Sequence, residues 1–381
     1  MRILRIITRL NTGGPAIQAI DLTRELHKRG HECELVVGLA SREEGQQFQA
    51  KAMGQLGDKL GFSSTLQREL NWYCDRCAFK AIRKKIQDFQ PDIVHTHTAK
   101  AGFLGRLAAI TIRPRPKLVH TFHGHVFHSY FNKYRSWFYL FLERWLAGWT
   151  DKLIAVSRSQ MDELINYHLF PRYGYEVIPL GFDLEPFLKV PMWKYKKRLN
   201  VGIVGRLTAV KDHELFFEFV NALRRITSVE VKAFVIGSGE RRAELQRKYK
   251  DALFMGEVRH SALSAVYENL DLVVCSSKNE GTPVALIEAM AAGRPVLGTS
   301  VGGVKDLIGR DDRYEYPPFS IGTMRGFYLY SPQQAANDIT HSLDLESYHF
   351  MIARAREYVK KTYSLDRLVD SIEHCYRSIP R

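Results

Sequence analysis

The chain has little cysteine. Five Cys in 381 residues give no disulfide framework, which excludes a small cross-linked secreted scaffold and suits a reducing cytoplasm. Cys74-x-x-Cys77 stands alone, without the second pair that a structural zinc site needs. Long apolar runs are also missing. The stretch nearest to one, around Trp137 to Trp149, is interrupted by Glu143 and Arg144, which argues against a membrane-spanning helix. Met1 to Ile7 is basic, but its apolar part is too short for a signal peptide. There is no Asp-x-Asp to hold a divalent metal and no G-x-G-x-x-G to mark a dinucleotide site. Acidic residues are in deficit, with 41 Asp and Glu against 55 Lys and Arg. The net charge of +14 calls for acidic partners: an anionic ligand, a nucleic acid or an anionic lipid surface.

What is present is an ordinary globular composition, 45% hydrophobic and 25% charged, on a chain long enough for two domains with full cores. Ile3–Ile7 reads as a strand, Ala16–Arg29 as a helix closed by Gly30, and Cys33–Gly38 as the next strand. Gly13-Gly14 forms the turn between the first strand and the helix. Residues 41–64 carry no clear signal. A helix is expected over 68–89 and strands over 93–95, 117–122, 151–157 and 176–179. His123-Gly124 follows the 117–122 strand, at the end where open α/β sheets put ligands. His120, His125 and His128 lie close by, but their spacing matches no familiar metal-ligand pattern, and a polar contact from His123 is the preferred reading.

Residues 130–149 are dense in aromatics, with Lys133, Arg135 and Arg144 interleaved. This suits either a helix packed into the core with one wet face, the reading favoured here for most of these residues, or a membrane-interface helix. Residues 184–198 lack periodicity and are read as a linker between an N-terminal domain (1–183) and a second α/β domain (199–364). A final helix spans 365–378. In the second half Gly205-Arg206-Leu207 follows a strand, and Lys211-Asp212 leads a helix over 213–226.

The segment most informative about chemistry is Asn279 to Gly303. Thr282 is placed to cap a helix, Pro283 suits its first turn, and Gly293 suits its end. A helix N-terminus favours phosphate, and carboxylates on either side of it, Glu280 and Glu288, suit vicinal hydroxyls. The bland alternative is an amphipathic surface helix with two solvated Glu.

These residues resemble the retaining, GT-B-fold glycosyltransferases of family four. Glu280 to Glu288 matches the E-x7-E signature, Gly13-Gly14 the first-loop glycine pair, and Thr121-Phe122-His123-Gly124 the T-x-H-G loop. Val204-Gly205-Arg206-Leu207 with Lys211-Asp212, Gly237-Ser238-Gly239 and Gly256-Glu257-Val258 follow in order. The resemblance implies two Rossmann-like domains facing each other across a cleft, a last helix returning to the first domain, and closure during the cycle. It implies that Arg206 and Lys211 grip the donor's pyrophosphate, that Glu280 holds a hydroxyl of the transferred sugar, and that Glu288 binds the ribose. His123 would touch the donor sugar and Val258 would lie by the base. Gly13 and Gly14 would lie near the phosphates, with Gly237, Gly281, Thr282 and Pro283 completing the donor site.

The implied reaction moves a hexose-type sugar from a nucleoside diphosphate, with a leaning towards UDP, to an envelope glycan or lipid-linked acceptor. It proceeds with retention, and without metal or other cofactor. The expected location is the cytoplasm, with the inner membrane face as a peripheral site. Many relatives have E-S-F-G where this chain has Glu280-Gly281-Thr282-Pro283, and Pro283 lacks an N–H. Other GT-B activities (phosphorylase, sucrose-synthase-like, epimerase) and a non-enzymatic nucleic-acid binder are the alternatives. The dispersed basic residues and the lack of a nucleic-acid module weigh against the second.

Overall fold

In a computed structural model the chain forms two α/β units. Residues 1–10, 14–39, 46–67, 69–123, 133–194, 198–309, 325–342 and 346–380 are described. Unit 1 comprises Met1–Phe182 together with Leu365–Arg381, and unit 2 comprises Asp183–Ser364.

Unit 1 begins with β1 (Arg2–Ile7), α1 (Gly14–Lys28), β2 (Glu32–Gly38), α2 (Gln46–Leu56) and β3 (Leu60–Ser63). It continues with α3 (Trp72–Phe89), β4 (Ile93–His97), α4 (Ala99–Ile110), β5 (Lys117–Phe122), α5 (Lys133–Ala147), β6 (Lys152–Ala155), α6 (Arg158–Asn166) and β7 (Tyr175–Val177). The seven strands form one parallel sheet in the order β3-β2-β1-β4-β5-β6-β7. Strand order reverses between β1 and β4, so the ligand-binding crevice of such a sheet lies at the carboxyl ends of these two strands.

Unit 2 opens with the short helix α7 (Glu185–Leu188), then β8 (Arg198–Val204), α8 (His213–Ile226), β9 (Glu230–Ile236), α9 (Arg242–Lys248), β10 (Leu253–Gly256) and α10 (Leu263–Asn269). It continues with β11 (Leu272–Cys275), α11 (Val284–Ala291), β12 (Val296–Gly298), α12 (Gly302–Ile308), β13 (Phe327–Tyr328), α13 (Pro332–Ser342) and α14 (Glu346–Tyr363). Its six parallel strands run β10-β9-β8-β11-β12-β13, with the switch point between β8 and β11.

The strands are short apolar runs because both faces of a parallel sheet are covered by helices. The last helix, α15 (Leu365–Ser378), returns to unit 1. Its apolar residues Leu368, Val369, Ile372, Cys375 and Tyr376 recur at helical spacing and pack on Ile3, Leu22, Leu26 and Cys33. At its edge Arg29 pairs with Asp370 at 2.5 Å, and Leu365 N–H bonds the Phe182 carbonyl at 3.0 Å.

Three expectations need correction. Residues 184–198 do not form a separate linker: their described part belongs to unit 2. Phe187 and Trp193 are fully buried there, and Trp193 donates from its indole N–H to Asp271 at 3.2 Å. An aperiodic segment still anchors where single large side chains find holes. The unassigned stretch 41–64 contains α2 and β3, an edge strand too short to show alternation. Finally, α5 does not bury most of its aromatics. Trp137, Phe141 and Trp145, with Trp149 just past the helix end, recur every four residues and are 67%, 55%, 44% and 39% exposed. The buried face of this region is Glu143, Leu146 and Ala147, with Glu143 ion-paired to the fully buried Arg106 at 2.6 Å. Among the described residues, no helix is long and apolar enough to cross a membrane.

Candidate active site

The unit 2 site is built at its switch point. Val204 ends β8, and Gly205 turns the chain with φ +157°. Arg206 follows, exposed, with no ion-pair partner among the described residues. A single 3-10 turn, Ala209–Lys211, then brings Lys211 back toward the strand ends. Asp212, in the left-handed region at φ +45°, caps α8. On the other side of the switch point the loop after β11 carries Glu280. Its Oε1 accepts from Ser277 Oγ at 2.8 Å and is ion-paired with Lys211 Nζ. The Lys–Glu pair thus joins the loops that follow the two central strands. It fixes an ammonium and a carboxylate side by side at the carboxyl ends of those strands.

Helix α11 begins one residue later than expected, and Thr282 is not its side-chain cap. Pro283 occupies the N-cap position with φ −80° and ψ 75° and no side-chain capping bond. The Val284 N–H instead reaches the Thr282 carbonyl at 3.0 Å, an inverse γ-turn around Pro283. The backbone itself therefore takes up the donor that the Thr282 hydroxyl was expected to satisfy. The other end is as expected. Gly293, at φ +67°, donates to the Met290 carbonyl and Arg294 to the Ala289 carbonyl, a Schellman motif.

Glu288 is 4% exposed, which removes the solvated-surface alternative for this residue. Tyr267 donates to its Oε2 at 2.8 Å, and His260 Nε2 lies 3.2 Å from its Oε1. Burial pushes the Tyr267 hydroxyl well above its ordinary pKa, and the neighbouring Glu288 charge adds to that, so Tyr267 remains a donor at neutral pH. Neither Tyr267 nor His260 was singled out from the sequence. Tyr267 sits on α10 without a motif around it, and only the fold brings it to Glu288.

Glycines set the backbone of the site. A Cβ on Gly237 would lie 1.9 Å from the Gly205 carbonyl oxygen, so Gly237 is required for loop packing beneath Arg206. Gly302 and Gly303 clamp the Glu280 loop: a Cβ on Gly302 would lie 1.9 Å from the Glu280 oxygen, and one on Gly303 would lie 2.2 Å from the Gly281 oxygen. The Gly303 N–H bonds Glu280 O at 3.0 Å. Val258 lies just beyond β10, partly exposed.

The unit 1 candidates gather at the other switch point. Gly14 opens α1, while Gly13, Gly124, His125 and His128 lie outside the described residues. Strand β4 extends two residues beyond expectation, to His97, and His97 Nδ1 is 2.9 Å from His123 Nε2. His120 points away from that contact and bonds Thr96 Oγ1 at 2.8 Å. Among the described residues no cluster suits a metal ion. Burial holds the His123 imidazole far below its ordinary pKa, at about 3, so it is neutral at physiological pH.

The model of the family described as Glycosyltransferase Family 4 matches residues 12–186, and that of Glycosyl transferases group 1 matches residues 198–322. The chain belongs to glycosyltransferase family 4. It is 28% identical over 349 residues to the UDP-Gal:alpha-D-GlcNAc-diphosphoundecaprenol alpha-1,3-galactosyltransferase of Escherichia coli, covering 86% of this chain and 87% of that one. It is 28% identical to the capsular polysaccharide biosynthesis glycosyltransferase CapM of Staphylococcus aureus, covering 68% and 71%. Among solved structures, Anabaena Alr3699/HepE in complex with UDP superposes with a TM-score of 0.75 at 18% identity, covering 99% of this chain and 100% of that one. The fold of this family 4 glycosyltransferase is GT-B, and the family assignment decides for a sugar-transferring enzyme over the nucleic-acid binder.

Proposed function

We propose that the chain transfers a hexose-type sugar from a UDP-linked donor to an envelope glycan or lipid-linked acceptor, with retention and without a metal ion. The observation that carries this reading is the Lys211–Glu280 pair held between the β8 and β11 loops beside the α11 N-terminus, with Arg206 exposed nearby. In this reading Arg206 and Lys211 stabilise charge on the departing diphosphate, which is where most of the barrier is lowered. The Glu280 carboxylate holds a sugar hydroxyl. Glu288, braced by Tyr267 and His260, holds the ribose diol. Gly13, Gly14, Gly237, Gly281, Thr282 and Pro283 let backbone approach the phosphates and sugar, and Val258 lies by the base. His123 hydrogen-bonds the donor sugar.

The choice of UDP is supported by the galactosyltransferase relative and by the HepE complex, whose descriptions name UDP-Gal and UDP. The acceptor class is supported by a diphosphoundecaprenol substrate in one relative and capsular polysaccharide biosynthesis in another. A lipid-linked acceptor places the enzyme at a membrane surface. The exposed aromatic stripe of α5 and the net charge of +14 suit an anionic bilayer interface.

The test is a thermal-shift titration with nucleoside diphosphates and their sugars, in EDTA, on wild type and Glu288→Ala. A ligand at about 100 times its Kd adds roughly 2.7 kcal/mol. A shift with uridine nucleotides that disappears in Glu288→Ala is expected; no shift with any nucleotide overturns the donor-site assignment. For the membrane part, sedimentation with phosphatidylglycerol vesicles is expected to carry the protein down and to fail with Trp137→Ala/Trp145→Ala. Equal binding by both proteins, or none by wild type, overturns it.

A further inference from the structure

A neutral imidazole has one N–H and one lone pair, so the His97–His123 contact admits two proton arrangements. If His123 Nε2 carries the proton, His97 carries its own on Nε2. That atom is buried and has no partner among the described residues, in a side chain that is 0% exposed. If His97 Nδ1 carries the proton, only a lone pair is left at His97 Nε2. The unpaired N–H then falls on His123 Nδ1, which is also buried without a partner among the described residues, but which belongs to a partly exposed residue beyond the end of β5, at the ligand edge of the sheet. An orphaned N–H in a sealed core is the costlier outcome.

A second observation points the same way. Arg5 is fully buried, and two of its guanidinium nitrogens have no partner among the described residues. Burial chiefly lowers the proton affinity of His97, and the neighbouring His95, His123 and Arg5 lower it further, whereas His123 is perturbed by burial alone. A nearby cation favours a lone pair over an N–H on His97 Nε2. The third Arg5 nitrogen donates to Tyr376 Oη at 2.9 Å, which leaves the Tyr376 hydrogen for His95 Nδ1 at 2.6 Å. His95 then donates from Nε2 to Thr121 at 2.7 Å, and its ring lies against His97 with centroids 4.2 Å apart. The return of α15 thereby helps hold the ring that backs His97.

We propose that His97 is a positioning residue: it donates from Nδ1 to His123 and fixes His123 as the Nδ1–H tautomer, a hydrogen-bond donor toward a sugar or phosphate oxygen and not a base. This rests on the reading of His123 as a donor-sugar contact.

The test begins with the wild type, labelled with 15N-histidine. Two-bond proton–nitrogen correlations distinguish the tautomers, and the His123 ring is identified by its loss in His123→Gln. An Nδ1–H pattern is expected; an Nε2–H pattern overturns the proposal without any variant at 97. His97→Asn keeps an amide N–H where Nδ1 stands, and should retain the pattern and most of the turnover. His97→Asp offers only an acceptor, should move the His123 proton to Nε2, and should lower kcat for release of UDP from UDP-glucose or UDP-galactose about 10²-fold. KM should change little. Equal loss in both variants would assign His97 a packing role and overturn the proposal. The expected tautomer switch with normal turnover in His97→Asp would instead refute the His123 contact and leave the tautomer assignment standing.

Discussion

Acidification should unfold unit 1 before unit 2. Four of its histidines, His95, His97, His120 and His123, lie in or just beyond β4 and β5, and burial lowers the pKa of each. In unit 2 the comparable residue among those described is His213, lowered to about 4, again chiefly by burial. The sign follows from linkage. Between the unfolded pKa of 6.5 and the lower folded value, the unfolded chain binds more protons, so stability is present above pH 6.5 and is lost as pH falls. A histidine kept neutral at pH 5 costs about 2 kcal/mol relative to pH 7. Four cost about 8 kcal/mol as an upper figure, comparable to the whole stability of a domain, against about 2 kcal/mol for unit 2.

Hydrogen exchange of β4 and β5 peptides, corrected for intrinsic rates, reads unit 1. Trp193, the one tryptophan between residues 183 and 364 and almost fully buried, reads unit 2 by fluorescence. The β4 and β5 amides should lose protection between pH 6.5 and 5 while Trp193 emission stays unshifted. Protection unchanged down to pH 5 would refute the reasoning, because it would mean that the buried rings can be protonated in place.

Gly303→Ala should push the Glu280 loop, since its Cβ would meet the Gly281 carbonyl oxygen at 2.2 Å. A loss of about 1–3 kcal/mol in stability is expected by urea titration, with weaker uridine nucleotide binding by calorimetry. Glu143→Ala should be the more damaging change, because it strands the Arg106 guanidinium in a 0% exposed site; about 3–5 kcal/mol is expected in thermal or urea melts. Tyr267→Phe removes one donor to Glu288 without a cavity, and should weaken uridine nucleotide binding while changing the melting temperature little.

The sequence by itself determined the two α/β units and most of the local punctuation. Apolar runs and their flanking Gly and Pro placed most of the strands, and the amphipathic period of 365–378 marked a helix that had to bury one face. Gly293 announced a helix end because only a left-handed residue completes that cap. Glu280, Glu288, Arg206 and Lys211 were singled out by motif spacing, and the fold sets Lys211 against Glu280. Tertiary structure decided what was non-local. Which carboxylate is solvated depends on α10, which supplies Tyr267 from 21 residues away. Which histidines meet depends on the β4–β5 register, which sets His97 beside Thr121 and so near His123. The α5 aromatics reversed the expectation because their period was right for a helix face, but a period does not say which face its neighbours cover. Spacing along the chain fixes local geometry. Burial, charge pairing and tautomer are set by groups that meet only after folding.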